Sequence, residues 1–133
     1  AILVKDTHLD AIDRDLELVM QRIVAAGGDP RFVEIEVESP EEALELCKVF
    51  SKALDEGLHT IGVLLLDNMN AGAIGEAMNL VRRNGFYDKF LFEASGGING
   101  ENILEYARTG VDILSMGSLT SGVESVDMSM KVG

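Results

Sequence analysis

Two acids carry the strongest chemical signal. Glu36 lies in "FVEIEVESPEEA" and Asp67 in "VLLLDNMN", each at the carboxyl end of an apolar run that reads as a strand. Two carboxylates from neighbouring strands aimed into one cavity suit Mg²⁺, which takes oxygen ligands and keeps several waters. The same pair suits ribose hydroxyls. The plainer alternative is a carboxylate satisfied by a nearby Lys or by backbone. Lys5 and His8 flank the first strand end and offer a fixed cation and a proton-transfer or donor group. "EASGGI" and "MGSLTSG" place glycines directly after two later strands. There the backbone can approach a ligand, and successive N–H groups can cradle a phosphate, Ser95, Gly96, Gly97 and Gly117 being the residues concerned. His59 precedes a strand, at the opposite end from these groups. Cys47 falls on a helix stripe and reads as core.

These residues need a frame. The pattern alternates strand and helix throughout: "ILVK", a helix capped by Asp10 with Ile12, Leu16, Val19 and Ile23 on one face, then "RFVEIEVE". Ser39-Pro40-Glu41-Glu42 opens the next helix with a cap, a Pro at the first helical position and a capping-box Glu. Its apolar stripe is Ala43, Cys47, Phe50 and Leu54. "TIGVLLLD" is followed by a helix over about 71–83, and "KFLFEA" by a helix that Asn99 caps and Gly110 ends. "VDILSM" is the fifth strand, and "VESVDMSMKV" a last strand or an irregular tail.

Strands separated by helices imply a parallel sheet with right-handed crossovers. An open doubly wound sheet and a (β/α) barrel, whole or partial, both satisfy that. Alternation puts Val33, Ile35 and Val37 on one face of the second strand and Glu34, Glu36 and Glu38 on the other. Such a strand fits a barrel whose inner face lines a functional mouth. It equally fits an edge strand with a solvated face. Polar or small residues then recur at the carboxyl end of all five strands: Lys5, Asp6 and His8; Glu36 and Glu38; Asp67 and Asn68; Glu93 and Ser95–Gly97; Gly117, Ser118 and Thr120. Five consecutive ends of that kind predict a site.

The 133 residues allow one domain and one core, and 47% hydrophobic content excludes a disordered chain. A net charge of −12 argues against nucleic acid and is compatible with divalent cations. It fits an anionic ligand only if backbone N–H groups or outside cations help. No apolar run spans a bilayer, no signal peptide is visible, and Cys47 is the single cysteine, so no membrane role and a cytoplasmic location are expected.

In order, "LVKDTH", "VEIEVES", "LLLDNM", "FEASGGI" and "GVDILSMGSLT" resemble the quinolinate phosphoribosyltransferase family, and "VDMSMKV" resembles its ending. The resemblance runs over nearly the whole chain. It implies an α/β fold, the later part of an incomplete TIM-like (β/α) barrel, with residues 1–133 forming one unit and an N-terminal domain and the first barrel strands lying outside it. It also implies phosphoribosyl transfer from phosphoribosyl pyrophosphate to quinolinate with decarboxylation, giving nicotinate mononucleotide for NAD biosynthesis. Position by position, Glu36 and Asp67 would be catalytic and hold Mg²⁺, and Lys5 and His8 would bind substrate. Ser95, Gly96, Gly97 and Gly117 would bind phosphate. Basic groups missing here would lie upstream or come from another subunit, hence a homo-oligomer, at least a dimer. Thr7 stands where the family has Asn, and Ser121 where many members have His. The first helix and Ser51–Thr60 are longer than usual, which leaves open a branch using a different base. Open strand edges of a partial barrel predict poor stability or association in isolation.

A response-regulator receiver domain phosphorylated on Asp67 is the rival from another class. It matches "VLLLDNMN" and the size. It lacks an acid pair after the first strand and a Lys after the fifth. A catalytically dead barrel fragment used for assembly is a third possibility.

Overall fold

A computed structural model describes residues 1–28 and 30–117. The tail pattern from 123 to 132, and Ser118, Thr120 and Ser121, lie outside the described residues. The elements are β1 (Ile2–Val4), α1 (Asp6–Asp10), α2 (Leu16–Ala26), β2 (Phe32–Val37), α3 (Pro40–Asp55), β3 (Ile61–Asp67) and α4 (Ala71–Arg83). After a 3₁₀ turn at Tyr87–Lys89 come β4 (Leu91–Ser95), α5 (Ile103–Ala107) and β5 (Ile113–Leu114). No helix among the described residues is long and apolar enough to cross a membrane.

Local chemistry explains the boundaries. Ser39 is extended and its hydroxyl accepts from Glu42 N–H at 3.1 Å, while Pro40 begins α3 without forfeiting a donor. The Glu42 carboxylate does not close a capping box on Ser39; it accepts from Glu38 N–H at 2.9 Å. Asn70 caps α4 by accepting from Ala73 N–H at 2.9 Å. The first helix departs from expectation. Asp10 ends α1, and Asp15 caps α2 through Leu18 N–H at 2.9 Å. Between them Asp13 and Arg14 adopt φ of 53° and 55°, so the helix that periodicity suggested is split in two. Asn99 likewise caps a turn, accepting from Glu101 N–H at 2.9 Å, and the helix starts later.

The sheet settles the architecture. All five strands are parallel, in the order β1-β2-β3-β4-β5. A doubly wound sheet reverses its strand order at a switch point, and the receiver fold has the order 2-1-3-4-5. Sequential order excludes both. It gives a singly wound arc, with right-handed crossovers placing helices on one side. Accordingly α2 packs on α3, α3 on α4 and α4 on α5. The arc is part of a (β/α) barrel, and β2, bonded on both sides, is not an edge strand.

The core lies between arc and helices. Val33, Ile35, Val37, Leu64, Leu66, Phe92 and Ala94 are fully buried, facing Leu46, Cys47 and Phe50 of α3 and Ile74, Met78 and Val81 of α4. Cys47 is core as expected, and burial pushes its thiol up to about 12. At Gly62 a Cβ would stand 2.6 Å from Phe90 and 2.9 Å from Phe50, so only glycine fits beneath that tilted ring pair. The inner face differs. Register places Phe32 with Ile61, then Leu3, Glu34, Val63 and Leu91, then Glu36, Leu65, Glu93 and Ile113, then Asp67 and Ser95. The lowest row is apolar, Glu34 enters the second, Glu36 and Glu93 the third, and the top row is wholly polar.

Candidate active site

Glu36 is the most buried acid among the described residues, 6% exposed, on the inner face near the end of β2. Alternation fixes its direction and pairing with β1 and β3 fixes its height. The Asp6 N–H donates to its Oε2 at 3.3 Å, so the start of α1 closes over it. Burial raises its proton affinity above the ordinary carboxylate range. The Asp6 amide opposes that, and the negative charges of Asp67 and Asp6 add to it. Register puts Asp67 one row above Glu36 on the same face of the neighbouring strand, near enough for its charge to act on Glu36. The two expected acids therefore converge.

Ser95 is the register partner of Asp67 on β4, so the glycine turn begins beside the acids. Gly96 and Gly97 take φ of 89° and 66°, left-handed backbone that suits glycine. Among the described residues their amides donate to no protein acceptor. The turn is held from below: Asn102 Nδ2 donates to Gly97 C=O at 2.9 Å and Asn102 Oδ1 accepts from Asn99 N–H at 2.8 Å. Gly117 follows β5 and is exposed.

Lys5 and His8 stand at the β1 end of the same rim, both exposed. Lys5 N–H donates to His8 Nδ1 at 3.1 Å, which holds that nitrogen as an acceptor. The Lys5 ammonium makes no ion pair among the described residues. His59 is exposed before β3, at the far end.

Three further features were invisible to alternation and motif. Glu38 does not join Glu34 and Glu36. The strand ends at Val37, and Glu38 turns to Arg14, 3.4 Å away. Arg14 also grips Glu42 at 2.7 Å and Asp10 at 3.0 Å, tying the α1–α2 loop to the start of α3. Deeper inside, Glu93 accepts from Ser115, and burial, with the Glu93 charge, raises the proton affinity of Glu34. Finally Asn68, next to Asp67, has φ 52° and donates to Asp67 Oδ2 at 2.6 Å. An Asn between a strand-end acid and a helix cap was the available signal.

Two adjacent carboxylates fit a divalent cation, whose charge would offset the repulsion between them. No group of three or more His, Cys, Asp or Glu side chains suited to a metal occurs among the described residues. Remaining coordination positions would belong to water and substrate oxygens, the usual manner for Mg²⁺.

Known proteins give an independent comparison. The family model "Quinolinate phosphoribosyl transferase, C-terminal domain" matches residues 1–131. A Methanothermobacter thermautotrophicus protein named "Probable nicotinate-nucleotide pyrophosphorylase [carboxylating]" is 35% identical over 130 residues, 98% of this chain and 43% of that protein. The Dictyostelium discoideum nicotinate-nucleotide pyrophosphorylase (carboxylating) is 30% identical over 131 residues, 98% of this chain and 39% of that protein. Among solved structures, NadC from Streptococcus pyogenes superposes with a TM-score of 0.71 at 30% identity, covering 99% of this chain and 41% of that one. A NadC deletion mutant gives 0.73 at 30% identity, with the same coverage. The chain thus spans about two fifths of the length of the curated relatives it matches.

Proposed function

The chain belongs to the family of quinolinate phosphoribosyl transferase C-terminal domains, and from that premise we propose that it supplies the acidic half of a phosphoribosyl-transfer site. The reaction is transfer from phosphoribosyl pyrophosphate to quinolinate with loss of carbon dioxide, giving nicotinate mononucleotide in NAD biosynthesis. The relatives' names describe the same conversion in the reverse, carboxylating sense.

One observation carries this reading: Glu36 and Asp67 occupy successive rows of the same face on adjoining strands, and Asp67 is in register with the first residue of the glycine turn. Departure of pyrophosphate leaves positive charge on the ribosyl ring, as in glycoside chemistry. Asp67 and Glu36 face that charge and accept from ribose hydroxyls. They are preorganised by strand geometry and by the Asp6 amide, so little reorganisation is needed. Glu36 ionises at a cost in this setting, and developing positive charge beside it reverses that cost. Gly96 and Gly97 offer free amides to the 5′-phosphate, with Ser95 and Gly117 on the same rim. Lys5 meets an anion, either the substrate carboxylate or pyrophosphate, and His8 orients Lys5 through its backbone. Mg²⁺ held by Glu36 and Asp67 would screen pyrophosphate charge. The missing cations would come from the remaining length of a complete enzyme or from a second copy in a homo-oligomer, at least a dimer, working in the cytoplasm.

The test is Asp67→Asn in a protein of full family length. It should lower kcat by about 10²–10³-fold while changing inorganic phosphate affinity less than about threefold. Unchanged turnover would remove Asp67 from the chemistry. Absence of quinolinate-dependent pyrophosphate release in the unmutated protein would overturn the activity itself.

A further inference from the structure

Asn68 belongs to neither the acid pair nor the glycine turn, yet it touches both. Its side-chain amide donates to Asp67 Oδ2 at 2.6 Å, and its backbone N–H donates to Ser95 C=O at 3.0 Å. Its φ of 52° is left-handed, a conformation that Asn tolerates better than most residues. Gly96 is pressed against it: a Cβ there would lie 2.8 Å from Asn68 N and 2.9 Å from Asn68 Cα. The loop behind is fixed as well. Tyr106 O–H donates to Met69 C=O at 3.2 Å, and Asn70 is committed to capping α4.

We propose that Asn68 is a positioning residue which sets the plane of the Asp67 carboxylate and locks it to the phosphate turn. This rests on the reading above, that Asp67 serves the ribosyl and cation side while Ser95–Gly97 serves phosphate. With Oδ2 held by Asn68, the carboxylate cannot rotate freely, and its other oxygen is left to a cation. The backbone bond to Ser95 sets the distance between acid and turn. The two jobs are separable. Glycine accepts the left-handed backbone and keeps the N–H to Ser95 but has no amide side chain. Aspartate keeps shape and size but cannot donate to Asp67.

The experiment compares Asn68→Gly and Asn68→Asp in a full-length enzyme. Three quantities are measured: kcat, Mn²⁺ affinity by electron paramagnetic resonance, and inorganic phosphate affinity by calorimetry. Asn68→Gly is expected to lower kcat and weaken Mn²⁺ by about tenfold each, the usual scale for an outer-sphere partner, with phosphate affinity within about twofold. Asn68→Asp should lower kcat at least as far. Wild-type kcat and Mn²⁺ affinity in Asn68→Gly would overturn the proposal. So would a phosphate loss equal to the Mn²⁺ loss, since that marks a purely structural residue. Should the glycine variant fail to fold, the kcat of the isosteric aspartate variant decides. An inactive unmutated protein would defeat the proposed reaction and not this inference, which the Mn²⁺ titration still tests.

Discussion

The two faces of the sheet obey different rules. On the helix side Val33, Ile35, Val37, Leu64 and Leu66 have no solvent exposure. On the inner side Leu3, Phe32, Ile61, Leu91 and Ile113 are exposed, Ile61 by 55%, and charge enters at Glu34, Glu36 and Glu93. The same strands supply both faces, so backbone geometry cannot cause the difference. One face is selected for filling volume. The other is graded along the strand, apolar below and acidic at the mouth, and that grading makes a site.

The contrast makes graded predictions for stability. Ile35→Ala removes side-chain volume that helices cannot fully reclaim and should cost about 2–4 kcal/mol in urea unfolding. A cost under 1 kcal/mol, of the order of a surface change, would mean the helix side is loosely packed. Gly62→Ala should cost about 1–3 kcal/mol, because Phe50 and Phe90 must give way. Glu36→Gln should act with the opposite sign. Folding holds Glu36 above the ordinary carboxylate range, so its contribution is fully present at acid pH and is lost as pH rises through the folded value. The amide removes that loss. Melting should rise by roughly 2–4 °C at pH 8, with the gap closing toward pH 4, while turnover falls. An equal gap at both pH values would refute the link to ionisation. Smallest of all, Ile61→Thr on the inner face should move the stability of the 133-residue chain by under about 0.5 kcal/mol. A cost like that of Ile35→Ala would show that this face is covered in solution, as by self-association.

How legible was this from residues alone? The start of α3, the span of α4 and the end of β3 followed from strong signals: a capping Ser39 with Pro40, a periodic apolar run over 71–83, and "VLLLD". The convergence of Glu36 and Asp67 followed from topology, since adjoining parallel strands bring their carboxyl ends together. The split first helix did not follow. Asp10 and Asp15 are both adequate caps, and although Asp13 is a type that tolerates left-handed backbone, Arg14 gives no such sign. Glu38 misled because alternation holds only while the strand lasts. The work of Asn68 and Arg14 was hidden for another reason. Each joins a near neighbour, Asp67 or Asp10, to a distant loop at Ser95 or Glu42, and the distant partner leaves no periodic trace.

Strand order has a consequence for how the chain comes to fold. Among the described residues every strand pairs only with its predecessor and successor, so no pairing skips a βα unit. Each βα unit can dock on the strand laid down before it, although every parallel pairing must first close the loop over an intervening helix, which makes such pairing slow. Loss of a terminal unit would unpair one strand and leave every other ladder whole.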